Sequence, residues 1–427
     1  MQPVLRSVQV EAINNTLQLY HNHLPNGGIV IMATGIGKTL YSIECIKKIK
    51  SKNILYLVNN REIQEQIHYV YQQHGLPMIK LNKNILLHNF NNIICIGMVQ
   101  TLHSNSSRLR TNMFDLIIID EAHHSYAKSY KEILSILQPN FLIGMTATPE
   151  RTDLKPILPI FYNNIIINVP IEKGIKNNWL AQYTYMAFKD TIDYSTIKYQ
   201  NGQYSIKDLN KKIMIHERDE AILREYKKYF DKPDDTVLGF CCSMQHAQYM
   251  SDFFNQHGIC SDFLTCLDTR EKKNLCKQLL NENKLKILFT VNLYNEGIDI
   301  PNVSGALFLR PTNSYLIWKQ QFGRLLRIKN TTRKKALVLD FVNNQKNICK
   351  IYQQLFQEEH IQKPILAGKR IIYKLSTGNT VIFHKEVYDV LSLISKRDEM
   401  FSYISDMSLN DIKQLGHQLY NELQVIS

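Results

Sequence analysis

The sequence predicts an α/β protein: two tandem domains with parallel sheets, followed by a small C-terminal α+β extension. Three observations carry this reading. Short apolar runs alternate with helical periodicity, as in parallel strands joined by crossover helices. The same pattern occurs twice along the chain. At 427 residues, the chain also exceeds what one hydrophobic core usually spans.

In the first segment, Ile29–Ala33, Ile54–Val58, Ile93–Val99, Leu116–Ile119 and Phe141–Met145 read as buried strands. Ile63, Ile67, Val70 and Tyr71 mark one face of a helix between them. In the second, Thr236–Phe240, Lys286–Thr290, Ala306–Leu309 and Ala336–Val342 repeat the style, with Ala247, Met250 and Phe254 as a helical stripe. The junction falls within Tyr162–Tyr183, and the domains are expected at residues 1–165, 166–345 and 346–427. A charged helix is expected from about Ile206 to Phe230. In the tail, Ile371–Leu375 and Thr380–Phe383 flank a Gly-containing turn, Ser376 to Asn379, and read as a hairpin. A helix bearing Val387, Leu391 and Ile394 follows.

Composition narrows the function classes. The net charge of +13 points to a polyanionic partner, and the basic excess lies in the first two segments rather than the tail. The eight cysteines show no CxxC pair and no histidine at zinc spacing, so they read as reduced thiols. No apolar run approaches the ~20 residues a membrane span needs, and Met1 to Val10 lacks a signal-peptide core. A cytoplasmic or other reducing intracellular location is expected, with no membrane partner.

Thr34-Gly35-Ile36-Gly37-Lys38-Thr39 follows a predicted strand and opens a predicted helix, the context a phosphate-binding loop requires. Lys38 is placed to reach β- and γ-phosphates of ATP, and the Thr39 hydroxyl to bind Mg²⁺. The pattern departs from GxxxxGK[ST], because Met32 holds the first glycine position. Four apolar residues, Leu116 to Ile119, then deliver Asp120-Glu121-Ala122-His123 to a strand end. Asp120 is assigned to Mg²⁺ and Glu121 to proton acceptance from attacking water. The bland alternative is that Asp-Glu caps a helix N-terminus.

Taken together, these residues resemble the superfamily 2 helicases of the DEAH-box type, over about Leu5 to Val342. The resemblance implies two RecA-like domains with ATP in the cleft between them. Leu5 to Gln9 is similar to the adenine-reading element, implying base contacts from Gln9 and Arg6. Val58 to Glu62, with Asn60 and Arg61, and Val99 to Leu102, with Gln100 and Thr101, resemble elements gripping the nucleic-acid backbone. Phe240 to Ser243, with Cys242 and Ser243, is similar to a strand-contacting motif, and Thr290 joins the nucleic-acid candidates. Thr146-Ala147-Thr148-Pro149 resembles the coupling motif, to which His123 also belongs by resemblance. Asn295 to Asp299 is similar to the motif touching ATP through Gly297 and Asp299. Gln320-Gln321-Phe322-Gly323-Arg324-Leu325-Leu326-Arg327 resembles the arginine motif QxxGRxxR, with Arg327 as the arginine finger and Gln320 and Arg324 beside the phosphates. Arg324 and Arg327 are three apart, which places them on one helix face.

The motifs imply an ATP-dependent helicase or translocase, with DNA ahead of RNA as substrate. The alternative is an ATP-gated duplex sensor, or a motor subunit of a larger complex engaging protein partners through the C-terminal module. Other features read as structural. Trp318 is expected in the core, and strand alternation accounts for Tyr183 and Tyr185 better than base stacking does; Tyr194 remains a stacking candidate. His124, Glu358-Glu359 and Arg333 to Lys335 read as solvated surface, the basic run keeping phosphate contact as an alternative.

Overall fold

The computed structural model describes residues 4–21, 27–49, 51–84, 91–147, 157–188, 197, 199–200, 203–265, 267–291, 303–311, 315–328, 335–342, 365–367, 370–375 and 378–384. The described residues build two large sheets in sequence and a separate two-stranded antiparallel sheet within the second segment. The first segment comprises α1 (Ser7–His21), β1 (Gly27–Met32), α2 (Lys38–Lys48), β2 (Asn53–Val58), α3 (Arg61–Gln73), β3 (Ile79–Lys80), β4 (Ile93–Met98) and α4 (Val99–Ser104). It continues through β5 (Leu116–Ile119), α5 (Lys128–Leu137), β6 (Phe141–Thr146) and β7 (Ile165–Val169) to α6 (Ile171–Lys176).

The first sheet has strand order β3-β4-β2-β5-β6-β1-β7, and every pairing is parallel. Its strands alternate between two apolar clusters: Val30 and Met32 face one, Ile29 and Ile31 the other. Both faces are therefore covered, which is why these strands read as continuous hydrophobic runs. The boundary expected at 165 falls on the first residue of β7, so the first sheet runs on to Val169.

The second segment comprises β8 (Gln182–Ala187), β9 (Tyr199–Gln200), β10 (Gln203–Tyr204), α7 (Ile206–Ile213), α8 (His216–Tyr229), β11 (Val237–Phe240), α9 (Met244–Gln256) and β12 (Ser261–Leu264). It continues with α10 (Arg270–Asn281), β13 (Ile287–Thr290), β14 (Gly305–Phe308), α11 (Tyr315–Leu325) and β15 (Lys335–Asp340). The last strands are β16 (Ile365–Ala367), β17 (Arg370–Lys374) and β18 (Thr380–His384). The order is β12-β13-β11-β14-β15-β8-β18-β17-β16, parallel up to β18 and antiparallel beyond it. The expected hairpin forms as β17 and β18, with Gly378 at φ +82° in its turn. Because β18 pairs with β8, these C-terminal strands extend the second sheet instead of standing apart. The helix expected around Val387 to Ile394 lies outside the described residues, as do Tyr194, Arg333, Lys334, Glu358 and Glu359.

One expected helix is two. The chain breaks between α7 and α8, where Ile215 is extended (φ −126°, ψ 120°). Leu209 and Ile213 bury against Cys242 and Ile197, whereas Ile222, Leu223 and Tyr226 bury in a different cluster. These stripes are out of phase on a 3.6-residue period, so one straight helix could not bury both. Among the described residues, no helix is long and apolar enough to cross a membrane.

Candidate active site

Three adjacent strands bring the first-domain motifs together, because β5, β6 and β1 are neighbours and all run the same way. Their carboxyl ends carry Asp120-Glu121, Thr146 and the phosphate loop, the place where open parallel sheets bind ligands. Gly35 (φ +90°) and Gly37 (φ +108°) adopt left-handed conformations that a side chain would strain. The turn they make leads directly into Lys38 and Thr39 at the start of α2, both half-buried. Arg6 Nη1 donates to the carbonyls of Gly35 and Ile36, each at 2.9 Å, and Gln9 Nε2 donates to the Gly37 carbonyl at 3.0 Å. Gln9 Oε1 in turn accepts from the Arg6 backbone N–H at 2.8 Å. The two residues matched to the adenine-reading element thus brace the phosphate loop from behind.

Lys38 Nζ lies 3.1 Å from the Met32 carbonyl. Burial lowers its pKa; Glu121 and then Asp120 oppose that shift, while Arg324 and Arg327 add to it. The ammonium therefore senses the carboxylates of the first domain and the guanidiniums of the second at once. Asp120 is pushed up to about 6, by burial first and by Glu121 next. Its carboxylate accepts from the Tyr56 hydroxyl at 3.3 Å and from the Glu121 N–H at 3.0 Å. Glu121 itself sits at φ +47°, an uncommon conformation for a residue with a side chain. It is buried, and its Oε2 makes no hydrogen bond among the described residues. That oxygen lies 3.4 Å from His123 Nδ1, which is 3.1 Å from the Thr146 hydroxyl.

The second domain contributes α11, held by aromatic packing. Trp318 is fully buried and stacks on Phe322 at 4.9 Å, and Phe322 meets Tyr183 edge-on at 4.9 Å. Tyr183 and Tyr185 are core residues rather than stacking platforms, and Tyr185 donates to buried Asp340 at 2.5 Å. A Cβ placed on Gly323 would stand 3.4 Å from Thr34 Cβ, so α11 lies directly on the phosphate loop. Gln320 and Arg324 are buried there, and Gln320 Nε2 makes no hydrogen bond among the described residues. The expectation that Arg324 and Arg327 share a helix face is corrected: α11 ends at Leu325. Arg327 lies beyond it in an isolated antiparallel bridge with Leu180, because Ala181 N–H donates to the Leu326 carbonyl at 2.8 Å and draws the chain out of the helix.

Of the nucleic-acid candidates, Arg61 and Gln100 are exposed and Thr101 is half-buried. Asn60 caps α3 by accepting the Ile63 N–H at 2.8 Å. Cys242, Ser243 and Thr290 are buried; Ser243 caps α9 and donates to Asn210 at 2.6 Å, and Thr290 donates to the Gly239 carbonyl at 3.4 Å. Their side chains make intramolecular hydrogen bonds here. Thr148, Gly297 and Asp299 lie outside the described residues. Sequence reasoning missed Tyr56, whose hydroxyl in an otherwise aliphatic strand was the available signal, and Leu180, for which no local signal exists.

The family model for the type III restriction enzyme res subunit matches residues 2–151, and that for the helicase conserved C-terminal domain matches residues 218–329. The chain carries the two-domain core of superfamily 2 helicases. This helicase core is 28% identical over 361 residues to the putative ATP-dependent helicase IRC3 of Saccharomyces cerevisiae, covering 80% of the chain and 52% of that protein. It is 21% identical to the DNA 3'-5' translocase XPB2 of Sulfurisphaera tokodaii, covering 79% of the chain and 81% of the relative. Among solved structures, a fragment of a putative HsdR subunit of a type I restriction enzyme from Vibrio vulnificus superposes with a TM-score of 0.61. That likeness, at 23% identity over 81% of this chain and 66% of that one, concerns the fold. The helicase core spans about half the length of the yeast relative (52%) and 64% of a phage one.

Proposed function

We propose that this helicase core is an ATP-driven motor that hydrolyses ATP between its two RecA-like domains and translocates on or unwinds nucleic acid. One observation carries the reading: the second domain packs on the phosphate loop of the first, with Arg327 Cγ 2.9 Å from where a Cβ on Gly35 would stand and a Cβ on Gly323 3.4 Å from Thr34 Cβ. The site also fits Mg·ATP in its unmet polarity. Glu121 Oε2, an acceptor, and Gln320 Nε2, a donor, are both buried without hydrogen-bond partners among the described residues.

In this reading Lys38 and the loop N–H groups of Thr34 to Thr39 hold the phosphates, while Thr39 and Asp120 hold Mg²⁺. The metal, when bound, neutralises charge developing on the phosphate oxygens. Glu121 takes the proton from the attacking water, and Arg324 and Arg327 supply positive charge from across the cleft. Gln320 orients toward the same phosphate. His123 with Thr146, and Thr148 next to them in sequence, transmit the state of the site to the domain interface. Gly297 and Asp299 complete the nucleotide contacts on the second domain, with Arg6 and Gln9 fixing the loop.

Arg61, Gln100 and Thr101 are the side chains offered to a nucleic-acid backbone. DNA is the favoured substrate, supported by the motif set and by the relative named as a DNA translocase. A motor subunit within a larger complex is the second reading, favoured by the match to the restriction-enzyme subunit model. The described cysteines are all free thiols, five of six buried, consistent with a reducing compartment. ATP turnover titrated in parallel with single-stranded, duplex and forked DNA and with duplex RNA tests the substrate. Directional strand or triplex displacement tests the motor, and stimulation without displacement would support a sensor instead.

A further inference from the structure

We propose that Leu180, in the connection between the two sheets, is a positioning residue for Arg327. This rests on the reading of Arg327 as the arginine that completes the ATP site. Leu180 is 1% exposed, lies against the phosphate loop and pairs with Arg327. Its side chain faces the phosphate loop: Cδ2 lies 3.1 Å from where a Cβ on Gly35 would stand, and Arg327 Cγ lies 2.9 Å from the same point. On the other side, Leu180 Cδ1 lies 2.7 Å from the corresponding point on Gly174, with Ile36 Cδ1 at 3.3 Å. Two glycines therefore leave the seat that Leu180 fills. Its backbone is equally committed. The Leu180 N–H donates to the Gly174 carbonyl at 3.0 Å, and Leu180 pairs with Arg327 in the antiparallel bridge.

The physical need is plain. Arg327 lies past the end of α11, and an arginine side chain multiplies any error at its Cα over several rotatable bonds. The bridge, through Ala181 N–H to the Leu326 carbonyl, sets the Arg327 backbone beside Leu180, and the Leu180 side chain ties it to the loop that leads into Lys38. Movement of the connection between the domains then moves the guanidinium with it. A misplacement of about 1 Å in such a group costs on the order of 10²-fold in rate.

The test compares Leu180→Ala, Leu180→Met, Gly174→Ala, Arg327→Ala and the double variant Leu180→Ala/Arg327→Ala. Each is measured for nucleic-acid-stimulated kcat, KM for ATP, binding of a fluorescent ATP analogue, and thermal melting. Leu180→Ala is expected to lower kcat roughly 10- to 100-fold with nucleotide affinity within about 2-fold, and Leu180→Met to recover most of the loss. The double variant is expected to be no slower than Arg327→Ala alone, because the two act as one unit. Gly174→Ala, which favours its helix but intrudes on the Leu180 seat, is expected to lower kcat as well, and it decides the matter if Leu180→Ala does not fold. Unchanged kcat in folded Leu180→Ala or Gly174→Ala, or losses that multiply in the double variant, would overturn the proposal. Full turnover in Arg327→Ala would overturn the arginine-finger reading, and this proposal with it. Loss there with none in Leu180→Ala overturns this proposal alone.

Discussion

His123 Nδ1 stands 3.1 Å from the Thr146 hydroxyl, joining the end of β5 to the end of β6 within the candidate active site. The same nitrogen lies 3.4 Å from the Glu121 carboxylate, so the imidazole touches the assigned base and the coupling motif together. His123→Ala should therefore spare basal hydrolysis but reduce nucleic-acid stimulation about 10-fold, within the range of other positioned hydrogen-bonding groups. Stimulated and unstimulated turnover, measured side by side, check this; equal loss in both would make His123 part of the chemistry rather than of the coupling.

Glu121→Gln should bind ATP and nucleic acid yet fall at least 10²-fold in turnover, since an amide cannot accept the water proton. The Glu121 carboxylate is buried and its Oε2 makes no hydrogen bond among the described residues, so the isosteric amide leaves the packing unchanged. Filter binding with ATP present should reveal a long-lived ternary complex. Ordinary turnover in this variant would move the base elsewhere.

Tyr56→Phe isolates one hydroxyl. Its phenol is fully buried and donates to Asp120 at 3.3 Å, while its ring packs against Tyr71 at 5.5 Å. Phenylalanine keeps the ring and removes the bond, worth about 1 kcal/mol. The Mg²⁺ concentration for half-maximal nucleotide binding should shift several-fold, with the melting temperature changed by only a few degrees. No shift would make the hydroxyl a packing feature.

Stability should fall in mild acid because of His246. Burial, assisted by Arg218, lowers its pKa to about 3, and its Nδ1 accepts the Cys242 N–H at 3.4 Å. The unfolded chain takes up a proton near pH 6.5 that the folded chain refuses. The stabilising contribution is thus complete above pH 6.5 and declines by up to about 1.4 kcal/mol per pH unit below it. Thermal melts from pH 7.5 to 5 should show that slope, and His246→Gln should flatten it. An equal slope in the variant would place the effect in other groups.

The residues that local patterning determines were legible in the sequence. Leu116 to Ile119 read as a buried strand because both its faces are covered, and Gly35 to Thr39 as a tight glycine turn between strand and helix, because its glycines stand where left-handed dihedrals are needed. The order of the motifs alone pointed to two domains and to Asp120 and Glu121 as candidates, which the structure sets at the carboxyl end of β5. Tertiary structure decided the rest, because it depends on which distant segments meet. Arg327 leaves its helix to pair with Leu180, Cys242 and Ser243 turn inward to meet Asn210, and β18 joins β8. None of these leaves a periodic trace. A periodic pattern records which face of an element is buried; it carries no record of the partner, and the partner decides where a guanidinium finally stands.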